Sequence, residues 1–118
     1  MTLVDSSVWT DHLRAGNARL VSLLEDALVL THPFVIGELA CGRFESREKV
    51  LTLLRALPSA EVADHDEVLK FVDRYRLYEK GIGWIDAHLL ASARLSAAAL
   101  WTVDRPLHRV AGSLRLAL

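Results

Sequence analysis

Thr2-Leu3-Val4-Asp5-Ser6-Ser7 is the stretch that decides the fold, because a single acid joins a short apolar run to a helix start. The first three residues predict a buried strand, the acid ends it, and either serine can cap the helix that follows. Leu100-Trp101-Thr102-Val103-Asp104 repeats the pattern of an apolar strand that stops at an aspartate. Parallel sheets bind ligands at the carboxyl ends of their strands, so two aspartates at such ends are the first indication of function.

The rest of the chain alternates short apolar runs with helical patterns. This alternation predicts βαβ units and therefore an α/β fold, with a small central parallel sheet and helices on both faces. The chain has 118 residues, which suits one domain, and we expect a single domain over residues 1–118. The further predicted strands are Leu28–Leu30, Ala60–Val62 and Leu114–Leu118. The further predicted helices begin near Leu20, Pro33, Ser46, Asp64 and Trp84, and only a short turn of helix is expected after Pro106.

Composition narrows the class of protein. Apolar residues make up 52% and charged residues 25% of the chain, which is typical of a globular protein. The net charge of −1 excludes a global basic surface, so any contact with nucleic acid must be local. Cys41 is the only cysteine, which fits a reducing compartment and excludes a cysteine-based zinc site. No apolar run approaches the roughly 20 residues that cross a bilayer, so we expect a soluble cytoplasmic protein without a membrane partner.

Four acidic residues occupy positions that solvation explains poorly. Asp5 and Asp104 each follow an apolar strand. Glu38 lies in the most apolar predicted helix, and Asp86 lies in the first turn of another helix. Each acid also has a simpler interpretation, since the strand-end aspartates can cap helices, Asp86 can complement a helix dipole, and Glu38 can face solvent.

Together, the four carboxylates favour a site for a divalent cation. Carboxylates that lie close together repel one another and must be neutralised. Mg²⁺ or Mn²⁺ prefers oxygen ligands and retains several waters. Such an ion suits phosphodiester hydrolysis, because it polarises a phosphoryl oxygen, orients an attacking water and stabilises the leaving oxygen. Water attack does not need the 2′-hydroxyl, so the carboxylates alone do not distinguish RNA from DNA.

Four segments, in the same order along the chain, resemble those of PIN domains. More specifically, they are similar to the VapC-type toxin ribonucleases of bacterial toxin–antitoxin pairs. The resemblance extends from Thr2 to about Val110. Its segments are Leu3-Val4-Asp5-Ser6-Ser7-Val8-Trp9, Ile36-Gly37-Glu38-Leu39-Ala40-Cys41-Gly42, Asp86-Ala87-His88-Leu89-Leu90-Ala91 and Trp101-Thr102-Val103-Asp104.

The resemblance implies a metal-dependent endoribonuclease with an acidic quartet. Asp5, Glu38, Asp86 and Asp104 would be the catalytic acids around Mg²⁺ or Mn²⁺, and the three aspartates would bind the metal. Many relatives carry a further acid shortly after the last of these positions, where this chain has Arg105-Pro106-Leu107. The resemblance therefore implies a first metal site but does not imply a complete second one. A hydroxyl role in positioning the acids is implied for Ser7 or Thr102, and the expected substrate-binding residues are Ser7, Arg43 and Thr102.

Partners also follow from the resemblance. It implies a cognate antitoxin that inhibits the enzyme, an RNA substrate, and a homodimer that forms a heterotetramer or larger complex with the antitoxin. The early helices carry more apolar side chains than such short segments can bury, which predicts an exposed groove for a partner. These side chains are Val8, Trp9, Leu13, Leu20, Leu23 and Leu24.

Other interpretations remain open or are excluded by pattern. A non-catalytic PIN-like binding module would not need all four acids, and a DNA-directed nuclease is disfavoured only by the fit to the short toxin pattern. The glycines of Gly81-Ile82-Gly83 follow a helix rather than a strand, which excludes a dinucleotide fingerprint. The five histidines are expected in structural or surface roles. Cations that flank the site segments and suit phosphate are Arg14, Arg43 and Arg105.

Overall fold

The computed structural model describes every residue from Met1 to Leu118 and contains three β-strands, seven α-helices and one 3₁₀ turn. None of its helices has the length and apolar character needed to span a membrane. In chain order the elements are β1 (Thr2–Val4), α1 (Ser6–Ala15), α2 (Ala18–Glu25), β2 (Val29–Leu30), α3 (Pro33–Ala40), α4 (Arg47–Ala56), α5 (His65–Tyr75), the 3₁₀ turn (Leu77–Glu79), α6 (Trp84–Leu95), β3 (Ala99–Trp101) and α7 (Arg105–Ser113).

The strands form one parallel sheet in the order β2-β1-β3, which confirms the predicted fold class. The central strand is β1, where Leu3 pairs with Leu30 on one side and with Leu100 on the other. All three residues of β1 are buried, although successive side chains of a strand point to opposite faces. Both faces of the sheet are therefore covered, as expected for parallel strands.

Two predicted strands, Ala60–Val62 and Leu114–Leu118, are wrong. Each is reduced to a single bridge beside the sheet. Pro58 offers no N–H just before the first bridge. Arg115, with a φ of 59°, turns the chain just before the second, so that only the last residues reach β3, where the N–H of Leu118 bonds the carbonyl of Leu100. The two bridges join Thr31 to Ser59 and Leu100 to Ala117.

Aspartates begin the helices that follow two of the strands. Asp5 caps α1 by accepting the N–H of Ser6, and Asp104 caps α7 by accepting the N–H of Leu107. The sequence suggests Ser6 or Ser7 as the cap of α1, but the preceding acid takes this role. The two serine hydroxyls are therefore available for other bonds, and both carboxylates are fixed at the carboxyl edge of the sheet.

His32, at the start of α3, is fully buried and links three segments. Its Nδ1 accepts the N–H of Phe34, so the ring proton lies on Nε2, 3.1 Å from Oγ of Ser92 in α6. The same Oγ accepts the N–H of Ala63 at 3.2 Å. Burial, and secondarily the neighbouring His88, lowers the pKa of His32 to about 4.

We expect His32 to make the fold sensitive to acid. Because its folded-state pKa lies below the ordinary value of 6.5, its contribution to stability is complete above pH 6.5 and is lost as the pH falls through about 4. The contribution amounts to roughly 3 kcal/mol. His32→Asn keeps an acceptor for the N–H of Phe34 but does not titrate, so its free energy of unfolding should depend less on pH over this range.

Urea denaturation of wild type, His32→Asn and His108→Asn, from neutral pH to about pH 4, measures this difference. The exposed His108 is the control, and its replacement should leave the wild-type pH dependence intact. The same pH dependence in all three proteins would contradict this role of His32.

Candidate functional site

Asp5 lies at the centre of the candidate site, where β1 ends and α1 begins, and its side chain is only 6% exposed. Its Oδ1 accepts the N–H of Ser6 at 2.8 Å. Its Oδ2 accepts the hydroxyls of Ser7 and Thr102, each at 2.7 Å. Three donors thus compensate the burial of this carboxylate, which would be costly without them.

The two hydroxyls also connect the ends of neighbouring strands. Oγ of Ser7 accepts the N–H of Val103 at 3.2 Å, and Oγ1 of Thr102 accepts the N–H of Asp104 at 3.1 Å. Each hydroxyl therefore donates to Asp5 and accepts from the backbone just after β3. This arrangement supports the positioning role implied for Ser7 or Thr102, whereas their role in substrate binding stays a prediction.

Asp86 and Asp104 hold further carboxylates at the same edge of the sheet. Asp86 is half-buried in the first turn of α6, and its Oδ2 accepts the N–H of Gly83 at 3.2 Å. Asp104 is exposed, and its Oδ2 accepts the N–H of Leu107 at 3.1 Å. The capping interpretations are thus correct for Asp5 and Asp104, but they do not exclude function, because capping also fixes each carboxylate in place.

Glu38 reaches the site from α3. It lies on the exposed side of this apolar helix, and its Oε1 accepts the hydroxyl of Ser6 at 3.2 Å. The sequence suggests Ser6 only as a helix cap and does not predict its hydrogen bond to Glu38. The two consecutive serines after the first strand are the sequence feature that could have indicated this contact. Successive residues at a helix start point in different directions, so the two hydroxyls reach different carboxylates.

The pKa shifts of Asp86 and Glu38 indicate that Asp86 lies within electrostatic reach of the other three acids and Glu38 within reach of Asp5 and Asp86. Burial, and then the charges of Asp5 and Asp104, raise the pKa of Asp86 against a partial offset from the N–H of Gly83. Burial raises the pKa of Glu38, and the charges of Asp5 and Asp86 add to this effect against the hydrogen bond from Ser6. The structure therefore brings together the four acids that the sequence predicts to converge.

The donor set fits a hard divalent cation, because every ligand atom available in this cluster is a carboxylate or hydroxyl oxygen. No three His, Cys, Asp or Glu side chains lie close enough to ligate one ion directly. Mg²⁺ commonly binds through one or two carboxylates and keeps waters at its other positions. The arrangement is therefore compatible with a largely hydrated ion.

Arg43 lies beside this cluster, in an open cleft of about 340 Å³ between α1 and the end of α3. Glu38 and Arg14 line the same cleft. Arg14 is paired with Asp11 at 3.0 Å, whereas Arg43 makes no ion pair. Of these two arginines, Arg43 is therefore the one whose guanidinium is free to contact an anionic ligand next to Glu38.

The geometry defines a class of protein: an α/β domain with carboxylates gathered at one edge of its parallel sheet. A family model, the PIN domain, matches residues 2–113. Ribonuclease VapC32 of Mycobacterium tuberculosis, in strains CDC 1551 / Oshkosh and H37Rv, is 49% identical over 119 residues, which cover 100% of this chain and 96% of that protein. The chain therefore belongs to the PIN-domain family and, within it, to the VapC-type proteins.

Two solved structures share the fold at low sequence identity. FitAcB from Neisseria gonorrhoeae matches with a TM-score of 0.64 and 20% identity, covering 95% of this chain and 94% of that one. PAE2754 from Pyrobaculum aerophilum matches with a TM-score of 0.62 and 22% identity, covering 92% of this chain and 77% of that one. Both agree with a PIN-like α/β fold.

We expect Asp86→Asn to stabilise the metal-free protein near neutral pH. A raised folded-state pKa means that Asp86 favours the fold only at pH values where it is protonated, and that this contribution is lost as the pH rises through the raised value. Asparagine keeps an oxygen for the N–H of Gly83 and removes the charge. The melting temperature in EDTA should rise by a few degrees, and the gain should shrink as the pH falls.

The matched control is Asp73→Asn, on the exposed surface of α5. Its melting temperature should stay close to that of wild type at every pH. A lower melting temperature for Asp86→Asn than for wild type in EDTA at neutral pH would contradict the proposed repulsion.

Proposed function

We propose that this protein is a metal-dependent endoribonuclease toxin that hydrolyses RNA phosphodiesters and is inhibited by a cognate antitoxin. The observation that carries the proposal is the electrostatic coupling of four carboxylates at the carboxyl edge of the sheet. The end-to-end similarity to a protein named Ribonuclease VapC32 supports RNA as the substrate. The roles proposed below for the individual acids rest on their geometry.

The chain's own residues suit distinct parts of this reaction. Asp5, Asp86 and Asp104 would hold Mg²⁺ or Mn²⁺, with at least one of the three carboxylates binding through the waters that the ion retains. When bound, such an ion polarises the phosphoryl oxygen and stabilises the leaving oxygen. Ser7 and Thr102 fix the carboxylate of Asp5, so that it is preorganised before the ion or substrate arrives.

Glu38 suits proton transfer. It is exposed beside the buried Asp5, and its raised pKa makes it a better proton acceptor than an ordinary glutamate. The hydrogen bond from Ser6 orients one of its oxygens and leaves the other free for a water molecule. Arg43, in the cleft beside it, is placed to contact a phosphate of the substrate.

We expect the protein to cleave single-stranded RNA with Mg²⁺ or Mn²⁺ and to lose this activity in EDTA. Water attack should leave 5′-phosphate and 3′-hydroxyl ends. Glu38→Gln should lower kcat by roughly 100-fold or more, because it removes the proton acceptor. The exposed Glu61→Gln is the matched control and should retain wild-type activity.

Gel analysis of end-labelled RNA and of DNA with the same sequence measures these outcomes. Activity in EDTA or 2′,3′-cyclic phosphate ends would contradict metal-assisted water attack. Cleavage of the DNA alone would favour the DNA-directed alternative, and binding of RNA without cleavage would favour the non-catalytic module.

An apolar groove supports the proposed antitoxin partner. It lies between α1, α2 and α4, has a volume of about 430 Å³, and eight of its nine lining residues are hydrophobic. Trp9, Leu13 and Leu24 line it, as the sequence predicts, whereas Val8 and Leu20 are wholly buried in the core. The wall that sequence reasoning missed is α4, whose Val50, Leu53, Leu54, Ala56 and Leu57 complete the groove.

The groove allows the antitoxin proposal to be tested separately from catalysis. Leu53 is 59% exposed on its rim, so Leu53→Glu should fold normally and still cleave RNA. We expect the adjacent gene to encode the antitoxin, as a small protein. Co-expression with that gene should give wild type a stable complex without nuclease activity, and Leu53→Glu should lose this complex. Leu69→Glu, at a 45% exposed leucine of α5, is the control and should keep it.

Size-exclusion chromatography with light scattering would show these complexes and their stoichiometry. We propose a homodimer in the cytoplasm that forms a heterotetramer or larger assembly with the antitoxin. An inactive complex that survives Leu53→Glu would overturn the groove as the antitoxin site.

A further inference from the structure

A second open cleft begins where β3 ends and continues along α7. Its volume is about 570 Å³, and its lining residues are Thr102, Val103, Arg105, His108 and Arg109. Three of these five side chains are cationic or basic, and none is acidic. Apart from Thr102, which fixes the carboxylate of Asp5, none of these side chains has a role in the reaction described above.

The basic side chains form one face of α7. Arg105, His108 and Arg109 are separated by three and four residues, the spacing that brings side chains together on a helix surface. All three are exposed, and the only ion pairs in the molecule are Arg14–Asp11 and Arg47–Glu48. The two arginines of this face therefore have no acidic partner within the protein.

The cleft is continuous with the acidic site. Thr102 lines it and also donates its hydroxyl to Asp5, and Asp104 immediately precedes Arg105. The cleft that contains Arg43 borders Glu38, a different member of the acidic cluster. Two separate arginine-lined clefts therefore flank the acidic cluster: one contains Glu38 itself, and the other adjoins Asp5 and Asp104 through Thr102 and Arg105.

A polyanionic substrate needs such flanking cations. The chain has a net charge of −1 and gathers four carboxylates where the reaction would take place, so it offers no general attraction for RNA. Arginine suits phosphate because its planar guanidinium donates two parallel hydrogen bonds. Contacts to phosphates are independent of base sequence and set the position of the strand.

We infer that the α7 cleft binds backbone phosphates of single-stranded RNA on one side of the scissile bond, through Arg105 and Arg109. This inference rests on the proposed function and adds a subsite to it. Arg43 lies in the other cleft and would contact the strand beyond Glu38. The α7 subsite contributes to affinity and positioning, and it takes no part in the chemical step.

The salt dependence of RNA binding tests the subsite directly. The probe is a fluorescent single-stranded RNA of randomised sequence, bound by Asp86→Asn protein at fixed Mg²⁺ so that cleavage does not intervene. The dissociation constant is measured by polarisation between about 50 and 200 mM salt. Each phosphate contact to a single strand contributes roughly 0.7 to the slope of log Kd against log salt.

Arg105→Gln/Arg109→Gln should therefore reduce this slope by about 1.4, and each single replacement by about 0.7. In the otherwise wild-type enzyme the double replacement should raise KM for RNA about 10-fold and change kcat by less than about twofold. The reason is that the two arginines would bind the substrate equally in the ground state and the transition state. The control is Lys49→Gln/Lys70→Gln, which removes the same charge from exposed positions on α4 and α5.

Three outcomes would overturn the inference. The first is an unchanged slope in the arginine variant, and the second is an equal drop in the lysine control. The third is loss of the complex with the adjacent small protein while the slope for RNA stays unchanged, because the cleft would then bind an acidic protein segment. A cleavage assay of wild type, run in parallel, separates the two proposals. If wild type cleaves RNA but the slope of the arginine variant is unchanged, only the subsite is disproved. If wild type neither binds nor cleaves RNA, the proposed ribonuclease function is disproved as well.

Discussion

The carboxylate of Asp5 is the constraint on which the rest of the site depends. It ends the central strand, caps α1 and receives the hydroxyls of Ser7 and Thr102, which in turn accept N–H groups from the segment after β3. A single buried acid thus ties together two strand ends and a helix start. The backbone segments that carry Glu38, Asp86 and Asp104 are arranged around it.

Two of the carboxylates at this edge of the sheet, Glu38 and Asp86, are disfavoured in their charged forms. The raised pKa values of the two side chains express this unfavourable free energy, which arises from burial and from neighbouring acids. The fold tolerates this unfavourable free energy because the buried core stabilises it, including Leu3 and Leu100 on the paired strands β1 and β3. Such stored repulsion is typical of functional sites rather than of structural ones.

Local rules are enough to predict the positions of the two strand-end aspartates. An apolar run followed by an aspartate marks both Asp5 and Asp104, and the alternation of elements places both strand ends at one edge. The position of Glu38 was predicted on partly wrong grounds, because its helix is apolar but its side chain is on the exposed side. Its link to Ser6 depends on the packing of α1 against α3, which no local pattern reveals.

Features that depend on length and packing were harder to predict. The segment after Pro106 suggests only a short helical turn, but α7 runs from Arg105 to Ser113, and only this length places Arg109 beside Arg105. Likewise, α4 was expected as a helix, but its role as one wall of the apolar groove depends on tertiary contacts. Pattern alone therefore identifies the acids but not the surfaces around them.

The central claim is that Asp5 and the carboxylates around it form one divalent-cation site. A calorimetric titration with Mn²⁺ tests this claim most directly. Wild type and the exposed-surface variant Asp73→Asn should bind Mn²⁺ alike. Asp5→Asn should lose binding. Thr102→Val removes the hydroxyl that donates to Asp5 and accepts the N–H of Asp104, so it should weaken binding roughly 10-fold or more. Absence of Mn²⁺ binding in wild type, or equal binding in wild type and Asp5→Asn, would contradict the claim.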